Sequence, residues 1–313
     1  MSTVNRTLLI VTCERDKWKF EMLCRSIKFY LEPCKIMIVY NGVDTEYKHW
    51  IRWLNKLKRK LLYRFDVIEH PASKFWPTRF VKDFDIEDLD HGWITQQMLK
   101  ILVADYIETT DYLILDSKNF FFKPCNIADI KSSRPHGNWP TPFQDVWTEK
   151  CCKTLDLIYP GRSLKLRANV TPYIFKTDVA KQLINYLGGP LAFHTWFLEN
   201  GPMAKGCEPA EFILYELFEV KVNQRDAEYV GSNGVTVWRH MLVDDTQHKD
   251  KLVLSSPTNV GNYILEEHKT HNITVSGFHK GAVMALSYND IITILKVLDA
   301  ERILPVYTPI PFL

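Results

Sequence analysis

A chain of 313 residues, 46% of them apolar, can bury a large core without disulfide support, as one α/β domain or two modest ones. Its formal net charge of +2 excludes the basic excess of a protein whose whole surface is built for a polyanion, and leaves only local patches open. Seven cysteines, with no Cys-x-x-Cys pair and no spaced Cys/His set, exclude a zinc module and read as free thiols of a reducing compartment.

Leu8–Thr12 is an unbroken apolar run and predicts a buried strand, followed by the polar turn Cys13–Asp16. A helix from Trp18 to about Tyr30 and a second strand over Ile36–Tyr40, ending at Asn41 and Gly42, complete a βαβ unit with parallel pairing. No G-x-G-x-x-G follows the first strand, which argues against a dinucleotide dehydrogenase. Next comes a basic helix from Tyr47 to about Tyr63. Lys48, Arg52, Lys56, Lys58, Arg59 and Lys60 alternate there with Trp50, Trp53, Leu54, Leu57 and Leu61, the pattern of an amphipathic surface helix with a solvated basic face. Phe65–Glu69 predicts a third strand, and His70–Asp90 a long loop.

The spacing over Gly92–Ile107 predicts a helix with Met98, Ile101, Leu102 and Tyr106 on one face, and with Gln96 and Lys100 four apart on another. It feeds the strand Tyr112–Leu115, which stops abruptly at Asp116, Ser117, Lys118 and Asn119 before an aromatic run resumes. In open α/β sheets ligands sit outside the carboxyl ends of the strands, so Asp116 stands where a phosphate, sugar or metal is met, with Thr12 and Asn41 on the same edge. The plainer reading is an Asx turn in which Asp116 and Asn119 bond their own backbone.

Ser132–Pro142 reads as a junction between residues 1–131 and residues 132–313. Beyond it, Asp178 is placed as the N-cap of a helix, and His194–Phe197 reads as core helix in preference to a sugar-stacking platform. Another helix is expected near Pro209, with Glu211 in its first turn, either as a site carboxylate or as a charge set favourably against the helix dipole. Ile273–Gly281 reads as a strand ending in His279 and Lys280, and the proline-rich Leu304–Leu313 as an extended tail.

The run from Gly92 to Pro124, GWITQQMLKILVADYIETTDYLILDSKNFFFKP, resembles the core of the nucleotide-sugar glycosyltransferases of the GT-A fold, and within them a DUF6492-like bacterial and viral group. The resemblance implies a Rossmann-like α/β fold: a mostly parallel central sheet flanked by helices, with a nucleotide-sugar-binding half over 1–131 and an acceptor-binding half and tail over 132–313 in one compact unit. In that fold an Asp-x-Asp motif holds a divalent metal against the sugar-nucleotide diphosphate. Here it reads Asp116-Ser117-Lys118, so the second carboxylate is missing. Asp116 alone can still hold Mn²⁺ or Mg²⁺ together with substrate phosphates, or Lys118 supplies the positive charge itself.

By resemblance, Thr12, Asp16 and Asn41 bind the nucleotide, with Gln96, Lys100, Ser117, Asn119 and Lys280 completing the nucleotide-sugar site. Asp116 and His279 are then the metal ligands. Asp116, Lys118 and Glu211 carry the chemistry, Glu211 as acceptor ligand or general base. The implied partners are a nucleotide-sugar donor and a hydroxyl acceptor, either a glycan or, given the basic helix, a hydroxymethylated base in viral DNA. The alternative is a non-catalytic nucleotide-sugar or glycan-binding protein with a degenerate motif. With no apolar leader and no run of the roughly 18 to 20 apolar residues that span a bilayer, the expected location is the cytoplasm of a bacterium or virus-infected cell.

Overall fold

The computed structural model describes residues 6–75, 89–132, 142–158, 170–200, 211–223, 234–237, 242, 254–278 and 286–299. In chain order the strands are β1 (Arg6–Thr12), β2 (Lys35–Tyr40), β3 (Asp66–Pro71), β4 (Asp111–Asp116), β5 (Asn119–Phe121), β6 (Tyr173–Lys176), β7 (Gly234–Val237) and β8 (Val275–Phe278). The helices are α1 (Lys17–Tyr30), α2 (Asp44–Leu61), α3 (Leu89–Leu102), α4 (Pro142–Thr154), α5 (Thr177–Tyr186), α6 (Pro190–Asn200), α7 (Glu211–Asn223), α8 (Pro257–His271) and α9 (Tyr288–Asp299). None of them is long and apolar enough to cross a membrane.

The main sheet has the order β3-β2-β1-β4-β6, parallel except for β6, which runs antiparallel along β4. Unbroken apolar strands suit such a sheet because both faces are covered. Their side chains divide with period two. Leu8, Ile10, Ile36, Ile38, Leu113 and Leu115 pack with Phe20, Leu23 and Ile27 of α1 and with Trp50, Leu54 and Leu57 of α2. Leu9, Val11, Met37, Val39, Tyr112 and Ile114 pack with α3, α5, α6 and α7 on the other face. Each such fully buried side chain contributes about 1.5–3 kcal/mol, so the two layers together outweigh any single surface contact.

A second sheet, β5-β8-β7, takes the aromatic run after Asp116 into the first of these layers through Phe120, Phe121 and Phe278. The strand expected to finish in His279 and Lys280 is therefore β8 of this small sheet, paired antiparallel with β5 so that Gly277 faces Asn119. The division at residue 131 does not separate the sheets: β6 closes the first, and β8 receives β5.

Several elements start or stop away from their expected places, for local reasons. Helix α2 begins at Asp44 rather than Tyr47, since Asp44 and Glu46 in its first turn suit the positive end of the helix dipole. Helix α3 begins at Leu89, taking up the end of the expected loop, and tightens into a 3₁₀ turn over Val103–Tyr106. That turn carries Tyr106 off the buried face: it is 42% exposed, edge-on to Phe75 at 4.9 Å, while Met98, Ile101 and Leu102 stay buried. Asp178 is not the cap of α5 but lies one residue inside it, because β6 runs straight into the helix at Thr177. Phe193 and Phe197 of α6 are core residues, as the plainer reading had it. Residues 76–88, the junction at 133–141, Cys207, Glu208, Pro209, His279, Lys280 and the 304–313 tail lie outside the described residues.

Candidate functional site

Strand order reverses direction at β1: β2 and β3 lie on one side of it, and β4 and β6 on the other. The crevice at that switch point is where open α/β sheets take ligands. The register pairs Val11 with Asp116, so Thr12, at the end of β1, and Asp116, at the end of β4, open side by side.

Asp116 is the hub. Its Oδ1 lies 3.2 Å from the Lys100 Nζ and accepts from the Gln96 Nε2 at 3.4 Å. Its Oδ2 lies 3.1 Å from the Lys118 Nζ and accepts from the Thr171 Oγ1 at 3.2 Å. Lys100 then reaches on to the Glu211 Oε1 at 2.8 Å, and its ammonium rests 4.7 Å from the centre of the Phe212 ring. The helical spacing of Gln96 and Lys100 delivers both to one carboxylate. Gln97, on the next position of α3, accepts the Glu211 backbone N–H through its Oε1 at 3.3 Å and ties the start of α7 to the same helix.

The electrostatics follow from this packing. Burial works against the Asp116 charge, but the ammonium groups of Lys100 and Lys118 outweigh it and hold the carboxyl well below the usual carboxylate range. Burial likewise opposes the charge of Lys100, and Asp116 and Glu211 more than offset it, raising the ammonium above its ordinary value. Asp116 and Lys100 thus both carry their charges near neutrality.

Ser117 and Asn119 complete the turn. The Ser117 hydroxyl lies within donating distance of the Thr12 Oγ1 at 3.2 Å and of the Asp16 Oδ2 at 3.4 Å, with one proton for the two, and the Asp16 Oδ1 is paired with the Lys19 Nζ at 2.7 Å. Asn119 accepts the Asp116 backbone N–H at 2.7 Å and donates to the Ser276 carbonyl at 3.5 Å, so its amide is spent within the protein. Gly277 leaves room for it: a Cβ there would come 2.1 Å from the Asn119 Nδ2. Asn119 therefore bonds the backbone of its own turn, three residues back and not two residues on as an Asx turn would, while the Asp116 side chain faces the ammonium groups. Asn41 stands further along the edge, donating to the Gly92 carbonyl at 2.8 Å and accepting from the Thr95 hydroxyl at 2.9 Å.

Over residues 8–273 the sequence matches DUF6492, a family of unknown function. The chain belongs to this family. Among curated proteins, no relative is found by sequence. Of solved structures, the bifunctional glycosyltransferase WbbM in its apo form is similar at a TM-score of 0.50 and 12% identity, over 93% of this chain and 50% of that one. The DUF6492 chain thus spans about half the length of WbbM. Mouse xyloside xylosyltransferase 1, also apo, aligns at a TM-score of 0.48 and 11% identity, over 90% of this chain and 99% of that one. At its low identity the WbbM likeness shows the fold alone, and the mostly parallel α/β, GT-A-like architecture expected from the sequence is the one this DUF6492 chain has.

Of the expected site residues, Thr12, Asp16, Gln96, Lys100, Asp116, Ser117, Lys118, Asn119 and Glu211 are drawn into one connected set, with Asn41 on the same edge. Thr171 and Gln97 are additions. The Thr171 hydroxyl had no mark in the sequence of a carboxylate partner 55 residues earlier. Gln97 adjoins Gln96 in the sequence and differs in role only because α3 turns it toward α7.

Among the described residues, which do not include His279, the donor set does not fit a divalent cation. Among the described residues no three His, Cys, Asp or Glu side chains gather as a metal would need. The one carboxylate at the strand end already faces ammonium groups on both oxygens. At about 4 Å and an effective dielectric near 20, each of those charges repels a cation by about 4 kcal/mol per unit of its charge.

Proposed function

We propose that this protein is a glycosyltransferase that moves a sugar from a nucleoside-diphosphate sugar to a hydroxyl acceptor, with a glycan the preferred acceptor class. The observation that carries the reading is the charged cluster of Asp116, Lys100, Lys118 and Glu211, held at the carboxyl edge of the sheet between β1 and β4. A purely structural ion network has no need of the switch point, whereas a diphosphate and a sugar hydroxyl need charges of both signs set against each other there. The WbbM-like fold supports the same class of chemistry. In this reading Thr12, Asp16, Ser117 and Asn41 line the donor side, Lys118 meets the diphosphate, and Glu211 stands on the acceptor side, anchored by Lys100 through one oxygen.

Release of nucleoside diphosphate from a panel of donors, first without acceptor and then with glycan acceptors, tests the assignment. One donor is expected to be cleaved slowly alone and faster with an acceptor. Glu211→Gln keeps the shape and the Lys100 contact but loses basicity, so turnover should fall about 10²–10⁴-fold if Glu211 takes the acceptor proton. No release from any donor, with saturable donor binding, would favour the non-catalytic binding protein.

A further inference from the structure

Resting on the glycosyl-transfer reading, we infer that the departing diphosphate is met by the Lys118 ammonium, positioned by Asp116, and not by a divalent cation bridged to that carboxylate. Lys118 stands two positions after Asp116, on the turn between β4 and β5. Both Asp116 oxygens are engaged: Oδ1 by Lys100 at 3.2 Å and Gln96 at 3.4 Å, Oδ2 by Lys118 at 3.1 Å and Thr171 at 3.2 Å. Glu211, the other carboxylate of the cluster, pairs with Lys100 at 2.8 Å. A dication entering here would displace Lys118 and still face Lys100 across the same carboxylate.

The two lysines are not equivalent. The Lys100 side chain is 5% exposed, caged between two carboxylates, whereas that of Lys118 is 27% exposed with one acidic partner among the described residues, and an ammonium has three donors. Lys118 can therefore hold Asp116 with one N–H and offer the others to phosphate oxygens. It also lines a crevice with Trp18, Lys19 and Ser117, closed on its other sides by apolar side chains such as Phe120 and Leu295. Asp116 becomes a positioning residue that orients Lys118, with Lys100 balancing its charge.

The transfer is then written without a metal. The bond between the sugar's anomeric carbon and the β-phosphate oxygen breaks, and its electron pair leaves with that oxygen. The acceptor oxygen forms the new bond to the anomeric carbon and gives its proton to a base on the acceptor side. Lys118 stays an ammonium throughout and neutralises the charge that grows on the diphosphate.

The test is calorimetry of the full chain with the common nucleoside diphosphates, first in chelator and then in Mn²⁺ or Mg²⁺. One diphosphate should bind in chelator within about twofold of its affinity in metal. Lys118→Ala should weaken it about ten- to a hundredfold, as loss of one charge-assisted contact does, while the parent nucleoside binds unchanged. Lys118→Arg should restore part of the loss. Lys118→Asp, which recreates a carboxylate pair, should bind the diphosphate only when metal is supplied. Metal-dependent binding by the natural chain, or indifference to Lys118→Ala, would overturn the inference and leave the transferase reading standing. Failure of every diphosphate to bind in both media would overturn the reading of the site, and the inference with it.

Discussion

At the scale of single residues, Lys100 is the most consequential side chain outside the apolar core. Removing one partner of a buried ion pair leaves an uncompensated charge, which typically costs about 3–5 kcal/mol. Lys100→Met should therefore destabilise the protein by about that amount, measured by chemical denaturation at pH 7. The pH dependence is fixed by the directions of the shifts. Asp116 is depressed below its ordinary value near 3.9, so its contribution is complete above about pH 5 and fades only as acid titrates it through the lower folded value. Lys100 is raised above its ordinary value near 10.4, so its contribution is complete below that and is lost as pH rises through the folded value. The penalty of Lys100→Met should thus be flat between about pH 5 and 9. A slope in that window would show that another group sets the charge of the cluster. The sequence displayed Asp116, Gln96 and Lys100 through strand end and helical spacing. It could not display that the ammonium lies between two carboxylates from opposite halves of the chain, since Glu211 is 111 positions away.

At the scale of elements, the turn between β4 and β5 is held by the small sheet beneath it. Asn119 spends its carbonyl on the Asp116 backbone N–H and its amide on Ser276, and Gly277 supplies the space. A methyl group at 277 cannot be accommodated without moving Asn119. Gly277→Ala should cost about 1–3 kcal/mol, the usual penalty of overpacking, and should lower donor affinity along with stability. Equal stability of the two proteins in a thermal melt would show that Asn119 can leave its place freely. This latch was only half legible: a polar turn is written in Asp116 to Asn119, but the pairing of β5 with β8 spans more than 150 residues and leaves no local mark. The parallel strands and α1 were legible because unbroken apolar runs and helical periodicity are local signals. The start of α3 was not, because Gly92, which reads as a boundary, sits inside the helix.

At the scale of the whole molecule, charge is distributed unevenly although the total is nearly balanced. On α2, Lys48, Arg52, Lys56, Arg59 and Lys60 are exposed, while Lys58 turns inward to Glu69 at 2.6 Å. Trp50, Leu54, Leu57 and Leu61 bury the opposite face, so the basic stripe faces outward from the fold. Exposed charges of this kind change stability by no more than about 0.5 kcal/mol. Arg52→Glu with Lys56→Glu should leave the melt and donor binding unaltered, as befits a solvated face. If viral DNA is the acceptor, the same pair should abolish a steeply salt-dependent retention of duplex DNA, which a gel-shift titration across salt concentrations would reveal.

The order of the main sheet also bears on how the chain acquires its shape. β1 comes before the other described strands, yet it lies in the centre, and its partner β4 begins at Asp111, about a hundred residues later. Contacts of such long range fold slowly, because the intervening chain must be closed into a loop before the pairing is rewarded. During synthesis one edge of β1 stays open until β4 has emerged. A second wait follows, for β6 to cover β4, and a third for α7 to bring Glu211 to Lys100. The charged cluster is therefore assembled late, and a nascent chain halted before residue 211 would hold the strand edge but not the finished site.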